Sequence, residues 1–249
     1  GKGHVVNWMW REGHFHLPQW VQIDLDQFRE RLPEWERYKE SNSETAGQLT
    51  HRECGYCVEI AQEIALQNGK NVWVDGSLQD HQWYGQSIQD IRCRYPHYCI
   101  AVLFVKASEE AAMRRAAERG ESTGRYVPGS YIRRSLSASQ AALASLSQLA
   151  DVVVCVENLE DGQAPSLAAL LSTLPRNRPA LRLPEEEVGA VWDVPKASWD
   201  DVSTLVQAAT SSRLKEKRRM EENRRGRGSS VALCALRARL FSQIQTRAK

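Results

Sequence analysis

Short, uniformly apolar runs alternate along the chain with longer stretches whose apolar residues recur at helical spacing. The runs are "WVQIDL" (Trp20–Leu25), "NVWVD" (Asn71–Asp75), "YCIAVLFV" (Tyr98–Val105) and the apolar part of "ADVVVCVEN" (residues 151–156). Each is too short for a stable helix and is rich in β-branched or aromatic residues, so each reads as a strand. The later two show no polar alternation, which is the pattern of strands buried on both faces in a parallel sheet covered by helices. Between them, residues 4–11, "HRECGYCVEIAQEIALQNGK", "SEEAAMRRAAERG" and "SLSASQAALASLSQL" read as helices, the first long one stopping at Asn68-Gly69. The pattern predicts an open α/β sheet with its ligand site beyond the carboxyl ends of the strands. A further strand is expected just ahead of Gly1.

From about Leu174 the pattern changes. Four of the nine prolines (Pro175, Pro179, Pro184, Pro195) fall in "LPRNRPALRLPEEEVGAVWDVPKASWD", which reads as irregular connection. Residues 200–223 read as a charged helix, and "VALCALRARLFSQIQ" as a last amphipathic one. The expected organisation is a domain over residues 1–173, a Pro-rich connection over 174–199 and a basic helical extension over 200–249. Charge sharpens this division. The net charge of +2 hides twelve Lys and Arg against three Glu from Arg213 to Lys249, leaving residues 1–212 at −7. The basic tail 213–249 could meet a protein or an anionic partner. Its run "KEKRRMEENRRGRG" has no interleaved aromatics and contains Glu216, Glu221 and Glu222, which favours a solvated or protein-docking arm over nucleic-acid binding. No apolar run approaches the ~20 residues of a membrane span. Six cysteines in 249 residues are too sparse for a disulfide scaffold and point to reduced thiols in a cytoplasm-like compartment.

Candidate chemistry clusters at strand ends. The chain opens "GKGHVVNWMW"; a glycine and lysine heading a helix are the form in which a phosphate-binding loop ends, although the dipeptide alone carries little weight. The first strand ends "IDLDQFR". Asp26 could take the proton of an acceptor hydroxyl and Asp24 could orient it or a metal-bound water; equally, Asp26 could be a helix N-cap. In "VWVDGSLQD" an acid closes an apolar strand, the form in which Asp75 would hold magnesium, with Ser77 next in the turn; Asp-Gly-Ser is also an ordinary turn. Arg115 and Arg119 lie four apart on one helix, and Arg125 follows a glycine in "RGESTGRYVP"; arginines on a lid neutralise a transferring phosphoryl group, whereas a solvated charged helix is the plainer reading. Trp83 and Tyr84 beside Asp80 could stack on a base or sugar, or simply pack. "CGYC" (Cys54, Cys57) has no partner pair, and His14 and His16 lie in a polar loop, so neither is read as a metal site.

Taken in order, Gly1-Lys2, "IDLDQFRERLPEW", "TAGQLTHRECGYCVEIAQEIALQNGKNVWVDGSLQD", "AAERGESTGRYVP" and "ADVVVCVEN" resemble the zeta-toxin domain over roughly residues 1–165. The resemblance implies a three-layer α/β/α P-loop kinase of nucleotide-kinase type with a mostly parallel sheet, using ATP and magnesium to phosphorylate the 3′-hydroxyl of UDP-N-acetylglucosamine. It implies that Lys2 is the P-loop lysine, with Gly1 and Gly3 beside it in the ATP loop, and that Asp26 is the general base. Glu59 and Ser77 would contact the acceptor, with Asp80 beside them. Arg125 and Arg119 would meet the ATP phosphates, with Arg115 able to replace Arg119. Asp75 and Asp24 would serve the metal. Three departures qualify this. The strand and glycine-rich half-loop that the family carries ahead of the lysine are missing, so the chain reads as a fragment of a longer product. Gly3 stands where the family has a magnesium-binding Ser or Thr. Gln79 stands where it commonly has Arg. Two alternatives remain: a kinase of a nucleoside, nucleotide or polynucleotide end, and a catalytically dead P-loop fold acting as an interaction module.

Overall fold

The computed structural model describes residues 1–124, 126–172, 192–193, 197–207 and 209. The chain divides into two compact units, Gly1–Thr210 and Ser211–Lys249. The second unit, and with it the basic tail 213–249, lies outside the described residues, as does most of the expected connection.

The elements of the first unit are α1 (Lys2–Arg11), β1 (Trp20–Asp24), α2 (Leu25–Glu30), α3 (Trp35–Leu49), α4 (His51–Gln67), β2 (Asn71–Asp75) and α5 (His81–Arg94). They continue with β3 (Ala101–Lys106), α6 (Glu109–Thr123), α7 (Gly129–Ser147), β4 (Val152–Glu157), β5 (Ser166–Ser172) and β6 (Trp192–Asp193). A helical segment follows over residues 199–207. The four apolar runs are the strands expected. Two boundaries differ. Leu25 opens α2 instead of closing β1, and Tyr98 lies ahead of β3, where its hydroxyl donates to the Lys70 carbonyl at 2.9 Å. α4 ends as its Gly69 signal suggests, with that glycine left-handed at φ 61°.

The strands form two sheets. β1 and β2 pair in parallel from Trp20↔Asn71 to Asp24↔Asp75. β3 and β4 pair in parallel from Ala101↔Val152 to Lys106↔Glu157; β5 adds to β4 and β6 to β5, both antiparallel. β5, "SLAALLS", carries no strand signal of its own; its ladder to β4 makes it a strand.

β4 explains its own sequence. Val152, Val154 and Val156 are buried with Val5, Val6 and Met9 of α1, while Val153 is buried in a second cluster with Val102, Ala150 and Leu143 of α7. A strand covered on both faces has no place for a polar alternation. Trp20 of β1 and Trp73 of β2 pack against the same cluster, each with its ring against Phe15 just beyond α1, so the cluster touches both sheets. Val202 and Leu205 of the 199–207 segment are buried in the same cluster, where Trp199 packs edge-on to Trp8 at 4.9 Å and stacks on His14. α1 is thereby clamped on both sides, which sets where its first turn lies.

Candidate active site

That first turn lies between the ends of two strands. Lys2 Nζ is 3.5 Å from Asp75 Oδ1, at the end of β2. The Gly1 carbonyl accepts from Asn158 Nδ2 at 3.3 Å, just past β4. Asn158 is itself buried, and its backbone carbonyl accepts from Arg115 Nη1 at 3.0 Å. Arg115 Nε also donates to Asp161 Oδ1 at 2.7 Å, so one arginine of α6 is oriented by two acceptors of the β4–β5 loop. Around Gly1 positive charge accumulates, with Arg115, Lys2 and Arg119 close enough to act there and Asp75 opposing. A helix N-terminus presents unpaired N–H groups and a partial positive charge, and three cationic side chains add to it, so this end of the domain attracts anions.

Carboxylates line the adjoining ground. Asp24 and Asp75 are register partners at the ends of β1 and β2. Both line a cleft of about 160 Å³ together with Gly3, Asn7, Gln22 and Gln27. Burial raises the Asp24 carboxyl above its ordinary value, the Asp26 backbone N–H acts against that, and the neighbouring Asp75 and Asp26 carboxylates reinforce it. No group of three or more His, Cys, Asp or Glu able to hold a metal occurs among the described residues. Two carboxylates with carboxamide oxygens nearby nevertheless suit magnesium, which keeps most of its water and takes one or two carboxylates plus phosphate oxygens. Gly3 leaves open space where a side chain would begin, with nothing within 4 Å of a Cβ.

The two acids of "IDLD" have different stations. β1 ends at Asp24, which is the N-cap of α2: its Oδ1 accepts from the Asp26 N–H at 2.9 Å. The expectation that Asp26 could be the cap is therefore corrected. The chain turns helical at Leu25 because Asp24 satisfies an orphan first-turn donor. Asp26 lies in that first turn and pairs with Arg29 Nη1.

The remaining expected residues form a second group. Glu59 Oε1 accepts from Trp83 Nε1 at 2.8 Å, and Asp80 caps α5 by accepting from the Trp83 backbone N–H at 3.0 Å. Trp83 meets Tyr84 edge-on at 4.8 Å, and Tyr84 packs against the cluster of Ile88, Ala142 and Leu146. Gln79 Nε2 donates to the Tyr131 hydroxyl at 2.6 Å. Ser77 is exposed beyond the turn at Gly76. Arg119 is exposed on α6, and Arg125 lies outside the described residues. Of the histidines set aside as metal ligands, His14 Nδ1 shares a hydrogen bond with Ser203 Oγ at 3.1 Å. Cys54 and Cys57 are free thiols on α4.

Sequence reasoning missed Asn158, Asp161 and Arg29. The polar residue that closes the apolar run "VVVCVEN" was a usable signal for Asn158. For Asp161, in an ordinary "EDG" turn, and Arg29, in a charged helix, no local signal exists; each is defined by partners far away in sequence.

No curated protein and no solved structure matches the chain. The Zeta toxin family model matches residues 1–164, a span that holds Lys2, both strand-end aspartates, the arginines of α6 and Asn158. With that match covering well over half of the chain, it belongs to the Zeta toxin family, whose members are P-loop, kinase-like phosphotransferases.

Proposed function

We propose that the domain transfers the γ-phosphoryl group of ATP to a hydroxyl of a small molecule, a UDP-amino sugar such as UDP-N-acetylglucosamine. The observation that carries this reading is the meeting of Lys2 with Asp75 at the head of α1, beside Arg115 and Arg119. Phosphoryl transfer needs little covalent help from a protein; it needs charge placed around the phosphates and a nucleophile held in line. The helix N-terminus, Lys2, Arg115 and Arg119 supply the positive charge, and Arg125 is assigned to the same phosphates. Asp26 takes the proton from the acceptor hydroxyl as its oxygen bonds to the γ-phosphorus and the bond to the β-bridging oxygen breaks, releasing ADP. Asp24 and Asp75 would hold magnesium through water, and the ion when bound would offset charge on the β- and γ-oxygens. Glu59, Ser77 and Asp80 are assigned to the acceptor. The proposed use of ATP and the sparse cysteines support a cytoplasmic setting for the reaction.

One observation favours a second acceptor class. Glu59 already spends an oxygen on the Trp83 indole, and Gln79 is engaged with Tyr131, which leaves less of this group for an amino sugar. A nucleoside, nucleotide or polynucleotide end asks less of Glu59. Radiolabelled transfer from ATP to a panel of UDP-sugars, nucleosides and oligonucleotide ends tests both, with Lys2→Met and Asp26→Asn as controls. Label on a UDP-sugar that both substitutions abolish supports the first reading, and label confined to nucleosides or oligonucleotides supports the second. No label on any acceptor, with ATP bound and magnesium present, would overturn both in favour of a dead fold that acts as an interaction module.

A further inference from the structure

Arg29 heads the large side chains that are fully buried among the described residues, at 2% exposure. A guanidinium taken out of water is costly unless its donors are met. Here Nε donates to Thr50 Oγ1 at 3.0 Å and Nη2 to the Gly47 carbonyl at 3.2 Å. The guanidinium carbon also stands 5.9 Å from the ring centroid of Trp35. Thr50, 1% exposed, passes its own hydroxyl proton to the Ala46 carbonyl at 2.8 Å. The junction of α3 and α4 therefore grips one side of the guanidinium. The remaining corner, Nη1, meets Asp26 Oδ1. Asp26 has the opposite environment, with its side chain 38% exposed.

We propose that Arg29 is the positioning residue for Asp26: anchored by Thr50, Gly47 and Trp35, it holds the Asp26 carboxylate in the orientation from which that carboxylate accepts the proton of the acceptor hydroxyl. This rests on the reading of Asp26 as the base. Two features set the arrangement apart from simple packing. An apolar side chain of similar volume would fill a buried site at no loss of stability, and often with a gain. A planar fork with fixed donor directions orients a carboxylate in a way that a lysine ammonium does not. Arg29 itself is sealed from solvent and does not reach substrate; its effect passes through Asp26.

The test compares Arg29→Lys, Arg29→Met, Thr50→Val and Asp26→Asn with the wild type in the phosphotransfer assay, with rates corrected for the active fraction. ATP affinity is followed with a fluorescent analogue and folding by thermal melting. For Arg29→Met we expect ATP affinity within about twofold and kcat lower by roughly 10²-fold from a misplaced base. Arg29→Lys, which keeps the charge but not the planar fork, should recover little of kcat. Thr50→Val, which removes the Nε acceptor together with the hydroxyl's bond to the Ala46 carbonyl, should lower kcat severalfold at unchanged ATP affinity, and it keeps the test decisive if Arg29→Met does not fold. A purely structural role would lower melting temperature and active fraction while leaving kcat per active site and ATP affinity unchanged, and that result would overturn the proposal. So would unchanged kcat in both Arg29→Lys and Thr50→Val. Full transfer in Asp26→Asn would instead remove the base reading, whatever the Arg29 variants do.

Discussion

Asp24 and Asp75 stand opposite each other in the β1–β2 ladder, the last register pair of two parallel strands, so two carboxylates are held side by side by backbone hydrogen bonds. The consequence for Asp24, half-buried beside a like charge, is a carboxyl raised above its ordinary 3.8, by burial first and then by Asp75 and Asp26. Burial and the neighbouring like charges make the ionised Asp24 costly to the fold, and a cation held by the pair, as proposed above, would offset that cost.

That cost has a sign. A carboxyl whose folded pKa is raised binds protons more readily in the native state, so its contribution to stability falls as pH rises from 3.8 through the folded pKa and stays low above it. Asp24→Asn removes the charge and keeps a good N-cap for α2. Chemical denaturation without metal at pH 7 should find the variant as stable as the wild type or more so. The difference should shrink as the pH falls below the window. Magnesium should stabilise the wild type and have a weaker effect on the variant. A variant less stable at pH 7 would show that the cap outweighs the repulsion.

Gly3→Ser is expected to be accepted. Its Cβ would meet nothing within 4 Å, and a glycine within a helix costs about 0.5–1 kcal/mol relative to alanine. Melting should be unchanged or slightly higher. A hydroxyl there would adjoin the Asp24–Asp75 cleft, which Gly3 already lines. Manganese titration followed by electron paramagnetic resonance, with nucleotide present, should show severalfold tighter binding than in the wild type. Equal affinity would mean that the cleft does not hold the ion.

Gly76→Ala should be poorly tolerated, for a reason that a second substitution can isolate. A Cβ at Gly76 would lie 1.8 Å from Tyr84 Oη, and something must move. Burial pushes the Tyr84 phenol up to about 12, and its oxygen is met by the Leu78 backbone N–H. Overpacking of this kind costs about 1–3 kcal/mol. Tyr84→Phe removes the nearest atom and should return part of that loss in the double variant, although Tyr84 Cζ remains at 3.1 Å. Urea denaturation of the four-member cycle measures it, and strict additivity would contradict the contact.

Asp161→Asn should affect function more than stability. The Asp161 carboxyl is held below its ordinary value by hydrogen bonds from Arg114 and then Arg115. It is exposed, and such surface pairs add little to the fold. What it contributes to stability is present above pH 3.8 and lost as pH falls through the lowered folded value. Arg115 would lose the charge of its partner and keep the Asn158 carbonyl and a neutral carboxamide oxygen, a weaker guide. The KM for ATP should rise severalfold with little change in melting temperature. An unchanged KM would place Arg115 outside the nucleotide site.

Much of the domain was legible without coordinates because its signals are local. The valine run of β4 announces burial on both faces, Asn68-Gly69 announces the end of α4, and an acid closing "NVWVD" announces a strand end facing a site. Each depends on neighbours within one turn or one strand, where propensity and periodicity act. The same signals were ambiguous at "IDLD", where a one-residue difference in where β1 ends decides which aspartate caps α2 and which lies in its first turn.

The order of the elements up to β4, and the residue types at their ends, follow from short segments, because backbone preference and apolar spacing are local properties. Which of those residues meet depends on how the segments pack. That packing set Asp24 opposite Asp75, buried Arg29 against the α3–α4 junction, engaged Glu59 with Trp83 and turned "SLAALLS" into a strand along β4. Those outcomes depend on the register between strands and on contacts 21 or more residues apart, as between Arg29 and Thr50, and a pattern read a few residues at a time does not carry them.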